Sequence, residues 1–293
     1  MLKQAPWWAL GLVFLAAPWF MLSGASLGLL AQIGIAATVL MSYHLLLGQG
    51  GLLSFGHAVY VGAGAYAVVH AMNWGISGAW AVALVPLLGG LVAGALAVFM
   101  GWVSTRHAAM PFAMITLGVG ELVWALSHMV PGFFGGEGGF GLDRAAGAQV
   151  GAWSWGPVQH LAALVAVYTV VCVGLMVAWT RTPMGRLLNA VRDNPLRAAS
   201  VGVNPHRIRH AAFVVSATFA GVGRAVVRTG QPRGVQHAPI RRLPPVCLHW
   251  RRHRARRSPA RRRAHGRGAG GGVVLDARLA FVFGGLVCGL AAR

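Results

Sequence analysis

The chain has 293 residues, of which 56% are hydrophobic and only 10% charged, and its net charge is +20 at pH 7. Soluble domains carry about a quarter of charged residues, so this composition excludes an ordinary soluble domain. The only lysine in the sequence is Lys3. A Walker A phosphate loop needs a lysine directly after its glycine run, so this chain is not expected to hydrolyse ATP in that way.

The positive charge is unevenly distributed. Residues 1–223 hold nine basic and four acidic residues, a net +5, whereas residues 224–293 hold sixteen arginines and one acid, a net +15. We therefore predict a transmembrane domain over 1–223 and an arginine-rich tail over 224–293. The composition of the tail is typical of GC-rich coding sequence read in a shifted frame near Gly223. The alternative is a disordered basic tail that contacts anionic lipid or nucleic acid through phosphates.

The N-terminal part reads as a series of apolar helices. No charged residue lies between Lys3 and Arg106, a length sufficient for four spans of about 20 residues. The predicted apolar segments are Trp7–Ser23, Leu27–Leu47, Ala58–Met72, Trp80–Val103, Met110–Met129, Leu161–Trp179 and the start of a seventh, Ala211–Val222. The predicted fold is all-α, a polytopic membrane helical bundle of about six to seven spans with a disordered basic C-terminal tail.

Charge also predicts the orientation. Lys3, Arg106 and the loop Arg181–Arg209 fall on one side if the spans alternate, and the acidic loop Val130–His160 falls on the other. Basic loops stay in the cytoplasm, so the N-terminus is predicted to be cytoplasmic. Over Gly48–Met72, a glycine-rich interruption fits either a membrane span or a re-entrant segment, so the number of spans stays open there.

The basic loop has local structure of its own. Three helix starts are predicted, at Thr182-Pro183, Asn194-Pro195 and Asn204-Pro205, because proline suits the first turn of a helix and Asn or Thr caps it. Gly202 is the predicted stop of the second short helix. The loop is therefore predicted to form two short amphipathic helices at the membrane surface. The alternative is a solvated basic loop that only sets topology.

Three stretches carry a family resemblance. The loop sequence GRLLNAVRDNPLRAASVGVNPHRIRHAAFVVSATFAG resembles the cytoplasmic coupling loop of LivM-type permease subunits of branched-chain amino acid ABC importers. The stretch Gly48–Ala67, with its Ser54-Phe55-Gly56-His57 sequence, and the stretch Met114–Glu121, MITLGVGE, are similar to two further segments of that family. Together the similarity covers most of residues 25–223. The loop positions that carry it are Gly185, Arg186, Ala190, Arg192, Asn194, Ala198 and Gly202.

The resemblance implies a transport function without catalytic residues, metal or cofactor. It implies a permease subunit in a bacterial inner membrane that works with a second permease subunit, ATP-binding cassette ATPase subunits and a periplasmic or extracellular substrate-binding protein. In that family the loop docks on the ATPase. Membrane lipid is the remaining expected partner, and nucleic acid is not expected. Urea and short-chain amide permeases share much of the pattern, so they stay open as alternatives to branched-chain amino acids.

A few polar residues inside apolar segments are candidates for the substrate path: Glu121, Ser54 and His57. Intramembrane carboxylates are costly and tend to face a cavity or a partner, although Glu121 also fits a structural role at a helix end. A membrane-embedded enzyme that uses His57 and Glu121, such as a transferase, is the alternative of another class. Two GxxxG patterns, Gly24–Gly28 and Gly90–Gly94, predict close helix packing in lipid, but chance matches are expected among 42 glycines.

Overall fold

The computed structural model describes residues 5–20, 24–74, 79–107, 110–135, 149–150, 153–154 and 158–230. This part is all-α, as predicted, apart from a two-residue antiparallel ladder between β1 (Gln149–Val150) and β2 (Trp153–Ser154). The predicted tail lies outside the described residues from residue 231 onward. The helices are α1 (Ala5–Phe20), α2 (Gly24–His44), α3 (His57–Asn73), α4 (Ala79–Ser104), α5 (Met110–Met129), α6 (Pro131–Phe134), α7 (Val158–Arg181), α8 (Pro183–Asp193), α9 (Pro195–Ser200) and α10 (Pro205–Gly230).

Several of these helices have the length and apolar composition of membrane spans. Within the described residues there are 4 such segments: Ser26–Gln49, Ala83–Ser104, Met110–Met129 and Ala162–Arg181. Helix α3 has 17 residues, slightly short of the roughly 20 that cross a bilayer upright. The predicted count of six to seven spans therefore stays a prediction.

Helix α10 occupies the centre of the bundle. It packs against α2, α3, α4 and α7, and it also contacts the two short helices α8 and α9. With 26 residues at about 1.5 Å per residue it is roughly 39 Å long, longer than the apolar segment predicted for this region. The helix continues through Gly223 and Arg224 because Ala225 and Val226, just beyond them, are buried against the neighbouring helices. Tertiary packing therefore carries the helix past the predicted domain boundary at Gly223.

Glycines allow α3 and α4 to approach α10 at backbone distance. A Cβ atom added to Gly64 of α3 would overlap the carbonyl oxygen of Gly221 in α10. A Cβ atom on Gly89 of α4 would lie 2.6 Å from the Cβ of Ala225 and 2.8 Å from the carbonyl oxygen of Gly64. Small residues permit this kind of approach in membrane bundles, where van der Waals contact stabilises helix pairs. The three helices therefore meet at one point without intervening side chains.

The two GxxxG patterns behave differently. In the pattern Gly90–Gly94, a Cβ on the first glycine would press on Val222 and one on the second would lie 2.5 Å from the Oγ1 of Thr218, so this pattern forms part of the α4–α10 contact. In the pattern Gly24–Gly28, a Cβ on either glycine would meet no atom within 4 Å. Among the described residues, only the Gly90–Gly94 pattern is used for helix packing.

Helices α2 and α3 are joined by an interrupted stretch, which we call the irregular segment (residues 45–56). It begins with a π-helical turn, Leu45–Gln49, and continues as non-helical chain to Gly56. Gly51 has a φ of 65°, a backbone conformation that favours glycine. Leu46 and Leu52 are buried. The predicted glycine-rich interruption is therefore present, and it is mostly buried or half-buried, with Leu47 and Gly51 exposed.

Candidate coupling loop and buried polar cluster

The loop between α7 and α10 is built by side-chain caps. The Thr182 hydroxyl accepts a hydrogen bond from the Gly185 amide at 3.4 Å, and the Asn194 side chain accepts one from the Arg197 amide at 2.9 Å. These caps begin α8 and α9 at the predicted dipeptides. Gly202, with a φ of 87°, follows the end of α9. The prediction of two short helices is therefore confirmed.

One face of α8 anchors the loop to the membrane bundle. Leu188 and Val191 are buried in a hydrophobic cluster that includes Ile208 of α10. Gly185 is also buried, and a Cβ there would lie 2.5 Å from the carbonyl oxygen of Thr180 at the end of α7. The inner face of α8 thus contacts both helices that flank the loop, so α8 is not an independent surface element.

The opposite side of the loop is open to solvent and chemically mixed. Arg186 and Ala190 of α8 are exposed. Two apolar side chains near α9 are also exposed, Leu196 at 82% and Val201 at 78%. Adjacent apolar and arginine side chains are a combination found where proteins meet other proteins. Reasoning from sequence did not single out Leu196 or Val201, because their exposure depends on how α9 packs.

The seven predicted loop positions therefore divide by environment. Gly185 is buried, and Ala198 is half-buried against the hydrophobic cluster. The exposed positions are Arg186, Ala190, Arg192, Asn194 and Gly202.

Arg192 is exposed, but it also bonds to the irregular segment. Its side chain is 47% exposed, yet its Nη1 donates a hydrogen bond to the carbonyl oxygen of Gly48 in the irregular segment. Its Nε lies 3.5 Å from an Asp193 carboxylate oxygen. The hydrogen-bonded residues are 144 positions apart in the chain, so no local pattern reveals the contact.

A buried polar cluster surrounds the end of the irregular segment. The Ser42 hydroxyl donates to the Val39 carbonyl at 2.8 Å and lies 3.0 Å from His57 Nε2. Ser216 of α10 donates to the Ser42 carbonyl at 2.6 Å. The Ser42 hydroxyl has one hydrogen, so when it donates to Val39 its oxygen accepts from His57 Nε2–H, and in that tautomer His57 Nδ1 is an acceptor. The cluster connects α2, α3 and α10.

Two polar atoms of this region are buried without a hydrogen-bond partner in the described part of the chain, Ser54 Oγ and His57 Nδ1. The backbone between them is held from α5, because the Phe55 amide donates to Thr116 Oγ1 at 3.2 Å. A Cβ on Gly56 would overlap the carbonyl oxygen of Thr116. Buried polar atoms are usually hydrogen-bonded to protein or to ordered water, so these two atoms have bonding capacity left for a water molecule or a ligand.

Glu121 is not part of this buried cluster. It is exposed on the side of α5 that also carries the exposed Leu117 and Leu122. The neighbouring Gly120 faces the cluster instead, since a Cβ there would lie 3.6 Å from the Cα of Gly56. The structure therefore brings Ser54, near the end of the irregular segment, close in the chain to His57 at the start of α3, both buried, and places Glu121 on an exposed side of α5.

Long apolar helices around α10, together with an anchored basic loop at one end, define a multi-pass α-helical membrane protein. Residues 8–231 match the family model described as the permease component of branched-chain amino acid transport systems. The chain belongs to this family, which comprises transport permeases rather than enzymes. The match continues past Gly223, the predicted end of the membrane domain, so the boundary at 223 stays a prediction.

Two curated relatives are similar to this chain. The high-affinity branched-chain amino acid transport system permease protein LivM of Salmonella typhimurium is 28% identical over 234 residues, which cover 72% of this chain and 54% of the relative. LivM of Escherichia coli K12 is 28% identical over 232 residues, with the same coverage of 72% and 54%. The chain thus spans about half the length of the curated relatives it matches. No solved structure matches it significantly.

Proposed function

We propose that this chain is the permease component of an ABC importer for branched-chain amino acids. Family membership and the names of its relatives support this function. The observation that carries it is the loop 181–210, whose inner face is packed against α7 and α10 and whose outer face is basic and apolar. In this proposal the protein lies in a bacterial inner membrane with its N-terminus in the cytoplasm, as its loop charges predict.

The packing of the loop suggests how an ATPase subunit acts on the bundle. Pressure on the outer face of α8 reaches α7 and α10 directly, because Leu188 and Val191 fill the space between them. Helix α10 in turn contacts α2, α3 and α4. A single docking site is therefore mechanically connected to most of the bundle. A second permease subunit and a substrate-binding protein on the opposite side complete the proposed transporter.

The docking role is tested by replacing Gly185–Gly202 with an unrelated polar linker of equal length. We expect co-purification with the ATPase subunit to be lost, because both the outer contact surface and its anchor are removed. A matched control replaces the four residues 75–78, between α3 and α4, with a polar linker and is expected to leave co-purification intact. Unchanged ATPase binding by the first variant would contradict the docking role.

We further propose that Ser54, His57 and Glu121 contribute to the substrate path. The buried, unpartnered Ser54 Oγ and His57 Nδ1 support this role for the irregular segment. An exposed carboxylate on an apolar helix is costly in lipid, so the open side of α5 is expected to face a partner or an aqueous path. An amino acid offers a charged ammonium group for Glu121, whereas urea and short-chain amides do not.

Uptake by the assembled transporter distinguishes these substrates. We expect Glu121→Gln and His57→Ala each to lower leucine uptake about tenfold or more, the effect of losing one charge-assisted hydrogen bond. The control is Ser127→Ala, which removes a hydroxyl that bonds within α5, to the Trp124 carbonyl at 2.6 Å. Leucine uptake that is unchanged in Glu121→Gln would contradict the path assignment. Uptake of urea in preference to leucine by the unmodified protein would favour the amide-permease alternative.

A further inference from the structure

The end of α8 rests directly on the beginning of the irregular segment. The Arg192 guanidinium donates to the Gly48 carbonyl, and its Cγ lies 2.9 Å from the position that a Cβ on Gly51 would occupy. Leu188, one turn earlier, lies 3.4 Å from the corresponding position on Gly50. Gly51 therefore leaves room for the Arg192 side chain, Leu188 lies at contact distance near Gly50, and Arg192 supplies the polar contact.

The Gly48 carbonyl comes directly after two carbonyls, those of Leu46 and Leu47, that accept hydrogen bonds from nearby backbone amides. The amides of Gly50 and Leu52 both donate to the Leu46 carbonyl, at 3.1 and 3.2 Å, and the Gly51 amide donates to the Leu47 carbonyl at 3.0 Å. Arg192 is the donor to the next carbonyl along the chain. A charged donor makes a stronger hydrogen bond than a neutral one, so it suits the end of a π-helical turn that does not continue.

The far end of the irregular segment is held by another helix. Thr116 of α5 accepts from the Phe55 amide at 3.2 Å and packs against Gly56. Between the two attachment points lies Ser54, and immediately after them lies His57, the residues with unpartnered polar atoms. A shift of α8 relative to α5 therefore changes the backbone that positions both side chains.

A simpler explanation is that Arg192 only balances charge at the end of α8. A basic residue in the last turn of a helix is favourable, and Asp193 is adjacent. That explanation accounts for a positive charge at this position. It does not account for the hydrogen bond to Gly48 or for the close approach of the arginine side chain to Gly51.

We propose that Arg192 is a positioning residue that latches the irregular segment to α8, so that movement of the loop alters the surroundings of Ser54 and His57. This inference rests on the proposed function, because the movement is driven by an ATPase bound to the loop. Arg192 thus contacts the irregular segment of the helical bundle, whereas Arg186 on the same helix is exposed to solvent.

The first test measures hydrogen exchange in the purified chain. Arg192→Met keeps an apolar side chain over Gly51 but removes the donor, and Arg192→Lys restores a charged donor. We expect exchange at residues 50–55 to rise about tenfold in Arg192→Met and to return most of the way in Arg192→Lys. The matched control, Arg186→Met, should leave exchange there unchanged. Equal exchange in Arg192→Met and the unmodified chain would overturn the latch.

The second test uses the assembled transporter. Arg192→Met should retain ATPase binding and ATP hydrolysis but use about tenfold more ATP for each leucine taken up, with partial recovery in Arg192→Lys. Loss of ATPase binding by Arg192→Met would instead assign Arg192 to the docking surface and overturn the latch, while leaving the proposed function intact. Failure of the unmodified chain to bind any ATPase would contradict the proposed function, and the exchange experiment alone would then decide the latch.

Discussion

Gly64→Ala is expected to prevent α3 from closing on α10. The added methyl group would overlap the backbone carbonyl of Gly221, and no side-chain rotation can relieve a clash with backbone. Overpacking a core costs about 1–3 kcal/mol when side chains can move, so we expect a loss at or above about 3 kcal/mol here. Thermal unfolding in detergent, followed by the fraction that remains monodisperse, measures the loss.

Gly174→Ala is the matched control for this prediction. Gly174 also lies within a long apolar helix, α7, but a Cβ there would meet no atom within 4 Å. Alanine favours a helix over glycine by up to about 1 kcal/mol, so this variant should be as stable as the unmodified chain or slightly more stable. Equal unfolding temperatures for Gly64→Ala and Gly174→Ala would contradict the close contact of Gly64 in α3 with Gly221 in α10.

Leu196→Ala is expected to weaken ATPase binding by about thirtyfold without affecting the fold. The side chain is 82% exposed, so its truncation removes little internal packing. Truncation of a residue at an interface hot spot costs about 2 kcal/mol or more, which corresponds to that change in affinity. Titration of the detergent-solubilised chain with the isolated ATPase subunit measures the dissociation constant directly.

Trp74→Ala provides the control for this second prediction. Trp74 is equally exposed, at 83%, but follows the end of α3 that is remote from the irregular segment and α8. Its truncation should leave the dissociation constant unchanged. An equal loss of affinity in both variants would indicate a general effect of removing exposed apolar surface. Unchanged affinity in Leu196→Ala would exclude this part of α9 from the docking surface.

The loop could be predicted well because its signals are local. Proline in the first turn of α8 and α9 and the capping side chains of Thr182 and Asn194 act within three residues of each helix start. Such hydrogen bonds form between neighbours in the chain, whatever the surrounding fold. The apolar helices were likewise recognisable, because a membrane requires long runs without charge.

The end of α10 shows the limit of local signals. The predicted membrane domain ended at Gly223, yet the helix runs on to Gly230. Ala225 packs in a cluster with Val68 of α3 and Val85 of α4, and this burial favours continuing the helix. Helix propensity amounts to at most about 1 kcal/mol per residue for glycine, so a few buried contacts outweigh it.

The sequence by itself determined the class of this protein, its apolar helices and the capped helices of its basic loop, because composition and short-range hydrogen bonding decide these features. Only the tertiary structure decided that Gly64 meets Gly221, that Arg192 bonds to Gly48, and that His57 is buried while Glu121 is exposed. Each of these depends on residues far apart in the chain. Their proximity follows from the packing of whole helices around α10, which local patterns do not encode.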